Sequence, residues 1–137
     1  MCFEGRLLSG KGARLVIQIV FDKADQLAKV QAILLQGEQV FAVYDGKGVG
    51  TGFIALTDRR VILQDNSFVG GKSAVTSLPY KRIQSVSFVA DKSVFGKFAA
   101  SSTVAIHVGS QQYQVEFRGD DKARHAHDVI LHSILAS

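Results

Sequence analysis

The sequence predicts a mainly β domain with terminal helices: about seven short antiparallel strands curled into a barrel or sandwich, one helix before them and a capping helix after. Three observations lead there. Apolar residues recur with a helical period in "DKADQLAKVQAILLQG" and again after Asp120, but with a period of two throughout the middle of the chain. Short turns rich in Gly, Asp, Asn and Ser separate the strand-like runs. No helical segment lies between those runs to serve as a parallel crossover.

The first helix is expected over Asp22 to Gly37. Asp22 is placed as its cap, Asp25 puts negative charge in the first turn, and Gly37 supplies a left-handed stop. Leu27, Val30 and Leu34 share its apolar face, with Ile33 at the edge. "QVFAVYD" then reads as a strand. The glycines of "DGKGVGTG" turn the chain through backbone conformations of positive φ. "FIALT" and "RRVILQD" form a tight hairpin about Asp58 and Arg59. In that turn the Asp58 carboxylate is expected to bond turn amides, Arg60 to make an ion pair or cap carbonyls on the barrel rim, and Arg59 to be exposed. "VTSLPY" follows, with Pro79 suited to a strand end or sheet edge.

"RIQSVSFVA" is the next strand. "STVAIHV" and "QYQVEFR" make a hairpin about Gly109 and Ser110, with Val104, Ile106, Val108, Tyr113, Val115 and Phe117 inward. Asp120 and Asp121 open the last helix, whose stripe is Ala123, Ala126 or His127, Ile130 and Ile134.

A chain of 137 residues suits one domain with a real core. We divide it into an extension, 1–21, and a main domain, 22–137. The extension contains "LVIQIVF" (Leu15 to Phe21), far shorter than the roughly 20 residues that span a bilayer. It reads as a buried strand, an edge strand or an interface segment. A single cysteine, Cys2, excludes an intrachain disulfide and suits a reducing compartment, so a soluble cytoplasmic protein is expected, peripheral to the membrane at most. The net charge of +4 is scattered rather than striped, which argues against nucleic acid as a partner.

Four stretches occur in order: "ILLQGEQVFAVYD", "FIALTDRRVILQD", "VGGK" and "SLPYKRIQSVSF". Together they resemble the bacterial pleckstrin-homology (PH) domains, in particular the group with an N-terminal helix. That group carries Gly-Glu, Thr-Asp/Asn-Lys/Arg-Arg and Pro-Tyr-Lys signatures, matched here by Gly37-Glu38, Thr57 to Arg60 and Pro79 to Lys81. The resemblance covers about Asp22 to Leu135. It implies a seven-strand PH-like barrel with a C-terminal helix, no established catalysis, and self-association into homo-oligomers, rings being one form. The extension is longer and more apolar than the resemblance leads one to expect.

Chemistry-bearing patterns are sparse. The hairpin equivalent to the phosphoinositide site of eukaryotic PH domains offers only Lys47 before Arg59, so no specific phosphoinositide site is expected. A Walker loop ending at Lys72 would need glycine where Asn66 stands. His125 and His132 are separated by roughly 10 Å of helix rise, too far to share one ion, and His107 reads as surface. No nucleophile stands beside a base, so neither catalytic residues, a metal nor a cofactor is expected.

Two surfaces remain. Val16, Ile17, Ile19, Phe21, Phe41 and Val43 are candidates for subunit contacts, with the chain itself, or a peptide or protein added to a strand edge, as partner. Phe68, Lys72, Lys92, Phe95, Lys97 and Phe98 pair apolar loop tips with lysines, the pattern of a partner surface or of a module resting on anionic lipid.

Overall fold

A computed structural model describes residues 6–7, 15–16, 18–47, 51–65, 73–90 and 101–137. Among these residues, ten strands and two α-helices run in the order β1 (Arg6–Leu7), β2 (Leu15–Val16), β3 (Val20–Phe21), α1 (Ala24–Ala32), β4 (Val40–Asp45), β5 (Thr51–Thr57) and β6 (Arg60–Asp65). They continue with β7 (Ala74–Pro79), a 3-10 turn at Tyr80–Arg82, β8 (Ser85–Ala90), β9 (Ser102–Val108), β10 (Gln111–Phe117) and α2 (Asp120–Ala136). Two sheets carry the domain, one ordered β3-β4-β5-β6-β7 and the other β10-β9-β8; among the described residues β1 pairs with β2 in a separate two-stranded sheet.

From β4 onward every pairing is antiparallel, as the alternating runs demand. The exception is β3, which lies parallel to β4 with Val20 opposite Ala42 and Phe21 opposite Val43. Helix α1 is the crossover between them. The extension therefore contributes an edge strand rather than a buried one.

The main core fills the space between the two sheets and α2. It holds Tyr44, Ile54, Leu56, Val61, Ile106 and Phe117, and α2 presents Ala123, Ala126, Val129 and Ile130. A smaller cluster lies on the other face of the five-stranded sheet, where Val30 of α1 packs with Val40, Val43, Phe53 and Ile62, flanked by Leu27 and Leu34. Strands β4 to β6 are thus buried on both faces, which explains why they read as nearly continuous apolar runs.

A register shift between Val40 and Ala42 breaks the alternation of β4, so Phe41 and Ala42 both belong to the main core while Val40 and Val43 face α1. A second shift lies between Thr51 and Ile54. There a Cβ on Gly52 would stand 2.7 Å from the Gln64 carbonyl oxygen, so glycine permits the close approach of β6. The expectation of positive φ fails at Gly46 and Gly52; among the described residues it occurs at Gly37, Gly109 and Gly119.

Both ends of α1 depart from expectation. Asp22 caps nothing: its carboxylate accepts the Asp45 amide at 2.9 Å and pairs with Lys122 of α2 at 2.8 Å. The helix also ends at Ala32, before Gly37, whose φ of 80° instead serves the turn leading into β4.

Candidate functional site

Glu38, Thr57, Arg60 and Tyr80, from three of the four stretches, converge on one place, while "VGGK" lies outside the described residues. Arg60, first residue of β6, aims its guanidinium at Glu38 and donates from Nε and Nη2 to the two carboxylate oxygens, each at 2.9 Å. Nη2 also reaches the Ile33 carbonyl at the end of α1, and Nη1 donates to Ser77 Oγ of β7 at 2.8 Å. The expected ion pair and carbonyl cap are both present. One side chain thereby joins α1, β6 and β7 in the bidentate geometry that arginine favours with carboxylates.

Thr57 Oγ1 donates to Glu38 Oε2 at 2.7 Å and accepts the amides of Arg59 and Arg60. The hydroxyl of Thr57, rather than the Asp58 carboxylate, therefore holds the turn. Asp58 pairs across to Gln39 instead: its Oδ1 accepts the Gln39 amide while its own amide donates to the Gln39 carbonyl. The buried Tyr80 closes the group by donating from its hydroxyl to the Thr57 carbonyl at 2.7 Å.

Burial alone would raise the Glu38 carboxyl, but the hydrogen bonds from Arg60, the Leu35 amide and Thr57, with the Arg60 charge, outweigh it and hold the group down at about 2. Burial also pushes the Tyr80 phenol up. Four hydrogen bonds occupy the Arg60 guanidinium. Such a group locks the fold and leaves little with which to take an anion. Arg59 is exposed, as expected.

A second charged group gathers at the other end of β4. Asp45 accepts Gln26 Nε2 and Arg118 Nη1, both at 2.7 Å, and lies 3.4 Å from Lys23. Burial works against the charged form here as well, but these donors leave the Asp45 carboxyl lowered. None of this was legible in the sequence, because Lys23, Asp45 and Arg118 meet only once β3, β4 and β10 are assembled.

The α2 histidines diverge. His127 bonds its neighbour Asp128, whereas His125 turns inward, its Nδ1 2.5 Å from the Tyr44 hydroxyl. Burial lowers the His125 pKa, opposed by the charge of Asp128. His125 therefore does not lie on a solvated face of α2: its ring meets Tyr44 edge-on, and Tyr44 in turn meets Phe117. His107, on its β9 strand, shares a 3.1 Å contact with Ser85 Oγ.

The expected contact residues separate. Val43 is fully buried beneath α1, and Phe41 is turned against the main core, so neither offers the free apolar surface expected of it. The bulge in β4 and the cover of α1 are the reasons. Val16 lies in β2, paired with Arg6. Ile19 is half-buried against the smaller cluster. Phe21 is 45% exposed and its neighbour Val20 is 43% exposed, on a strand that ends the five-stranded sheet. Val20, the immediate neighbour of Phe21, was not among the expected contact residues. Ile17, Phe68, Lys72, Lys92, Phe95, Lys97 and Phe98 lie outside the described residues.

Two sheets enclosing a core, closed by a C-terminal helix, with a polar knot tying helix, hairpin and Pro-Tyr turn together, define a PH-like domain. The chain belongs to the bacterial PH domain family, whose model matches residues 12–134. It is 28% identical over 92 residues to the uncharacterized protein YozO of Bacillus subtilis, a match covering 67% of this chain and 75% of YozO. Among solved structures, the pleckstrin homology domain from Shewanella amazonensis superposes with a TM-score of 0.62 at 22% identity, covering 83% of this chain and 99% of that one. A DUF1696 family protein with a pleckstrin-homology domain from Shewanella loihica gives 0.60 at 21% identity, covering 82% and 94%. At these identities the structural likeness establishes the fold. Among the described residues no helix is long and apolar enough to cross a membrane.

Proposed function

We propose that this chain is a non-catalytic PH-like assembly module of the cytoplasm that associates with itself into a homo-oligomer. The observation that carries the reading is the outer edge of β3, where two adjacent apolar side chains are each more than two-fifths exposed at the end of a sheet. An edge of this kind templates a further strand unless it is blocked, and it is the means by which sheet domains add peptides or copies of themselves. The signature residues support the reading indirectly. The Arg60 guanidinium is taken up by Glu38, Ser77 and the Ile33 carbonyl, which favours a structural over an anion-binding use of that arginine.

Light scattering coupled to size exclusion, at high micromolar protomer, tests the proposal. The expected mass is a multiple of the 14.8 kDa protomer that decreases on replacing Phe21 by Lys. A mass of one protomer throughout would overturn it.

A further inference from the structure

We infer that the turns around Arg59 bind an acidic, extended segment of another protein, whose carboxylates meet a row of cations formed by Arg59, Lys81 and Arg82. The inference is independent of self-association. It uses a surface that the Glu38–Arg60 group positions but does not consume.

Three turns lie side by side at one end of the five-stranded sheet. The β5–β6 turn at Asp58 and Arg59 is tied on one side to the segment before β4. There the Asp58 amide donates to the Gln39 carbonyl, and Asp58 Oδ1 accepts the Gln39 amide. On the other side the Tyr80 amide donates to the Arg59 carbonyl at 3.3 Å, which brings the 3-10 turn and its Lys81 and Arg82 alongside. All three cations are exposed, and among the described residues none of their side chains makes an ion pair or hydrogen bond. By contrast Arg60, Arg118 and Lys122 are paired with carboxylates, and Arg124 lies over the Phe88 ring.

Arg59 is also well placed. Its amide is held by Thr57 Oγ1 and its carbonyl by Tyr80, so its backbone is fixed before any ligand arrives. Its Nη2 lies 3.3 Å from where a Cβ on Gly37 would stand, so the glycine leaves the space beside the guanidinium. Beyond Gly37 the row ends in apolar side chains, with Leu35 58% exposed and Ile33 41% exposed. The Leu35 amide donates to Glu38 Oε1, which anchors that end to the same group.

The chemistry of the row selects its occupant. A guanidinium beside other cations suits carboxylates, the mode in which arginine clusters read acidic motifs. The exposed Asp58 carboxylate stands in the same row, held by the Gln39 amide. An anionic bilayer presents a continuous negative surface and is repelled there. A peptide carries discrete charges instead. In an extended segment, side chains on one side recur about every 7 Å, comparable with the roughly 5 Å step between neighbouring strands. Acidic residues can then face Arg59 and Lys81, an uncharged one Asp58, and an apolar one Leu35.

Fluorescence anisotropy on the full chain tests this, with a labelled extended peptide in which leucine precedes alternating glutamates. The same peptide with glutamine in place of glutamate, and vesicles of phosphatidylserine in phosphatidylcholine, are run beside it. R59A/K81A should weaken binding of the glutamate peptide about tenfold, with melting temperature and light-scattering mass unchanged. Arg118→Ala, which removes an exposed cation at the opposite end of β4, should change it by less than about twofold. The glutamine peptide should not bind, and added salt should weaken the glutamate peptide. No saturable binding of the glutamate peptide at low salt, or an equal loss in R118A and R59A/K81A, would overturn the inference. Binding of the vesicles through Arg59 and Lys81 without binding of the peptide would overturn it as well, making the row a lipid surface.

Discussion

Strand β4 is flanked by two ionic clusters of opposite design. Glu38, two residues before the strand, has a side chain with no exposure and is gripped by Arg60, itself 15% exposed. Asp45, the last residue of the strand, is held by Lys23 and Arg118, whose side chains are 55% and 60% exposed. The first cluster is dry, bidentate and braced by Thr57 and Tyr80. In the second the Asp45 carboxylate is only 12% exposed, but its cationic partners lie on the surface. Number of partners is therefore a poor guide to worth: solvent screens the second group, whereas losing one member of the first strands a buried charge.

The largest expected effect comes from breaking the buried cluster. Arg60→Ala should lower the unfolding free energy by about 3–5 kcal/mol, because Glu38 remains buried without its partner. Urea unfolding at fixed protomer concentration reads this directly, since association would otherwise shift the apparent stability.

Acid should sharpen the contrast. The Glu38 carboxyl is held at about 2 in the folded chain against an ordinary value of 4.5. Its stabilisation is therefore complete above 4.5 and is lost as the pH falls from there toward 2. The difference amounts to roughly 3 kcal/mol. Glu38→Gln should be less stable than the parent at neutral pH and lose less stability between pH 5 and 2, followed by circular dichroism. Asp45 shifts in the same direction and contributes alongside.

A smaller effect is expected at the exposed cluster. Arg118→Ala should cost at most about 1 kcal/mol, and less in 1 M salt, where exposed pairs are screened. Melts at low and high salt check this. Arg59→Ala should be smallest of all, within about 0.5 kcal/mol of the parent, since its side chain lies on the surface at the turn. The two adjacent arginines of one hairpin would then differ roughly tenfold in cost.

Local patterns made the strands legible: the alternation in "QYQVEFR", the Gly109-Ser110 turn and the period change after Gly37 fall where the elements do. Arg60 was legible as an ion-pairing or capping residue because alternation and the turn fix its direction. Its partner Glu38 was visible only as half of a signature. The parallel pairing of β3 was not legible, since α1 reads as a leading helix until β3 is seen on the far side of it. The β4 bulge hid the fates of Phe41 and Val43, because one extra residue exchanges the faces of a strand. The Asp45 cluster and the Tyr44–His125 contact join residues far apart in sequence, and no periodicity encodes them.

The most direct test of the contrast between the clusters is a pair of double-mutant cycles by urea unfolding, one on Glu38→Gln with Arg60→Ala and one on Asp45→Asn with Arg118→Ala. The coupling across Glu38 and Arg60 should be about 2–3 kcal/mol and that across Asp45 and Arg118 below about 1 kcal/mol. Equal couplings below about 1 kcal/mol would contradict a structural role for the signature arginine, and would return Arg60 to consideration as a binding residue.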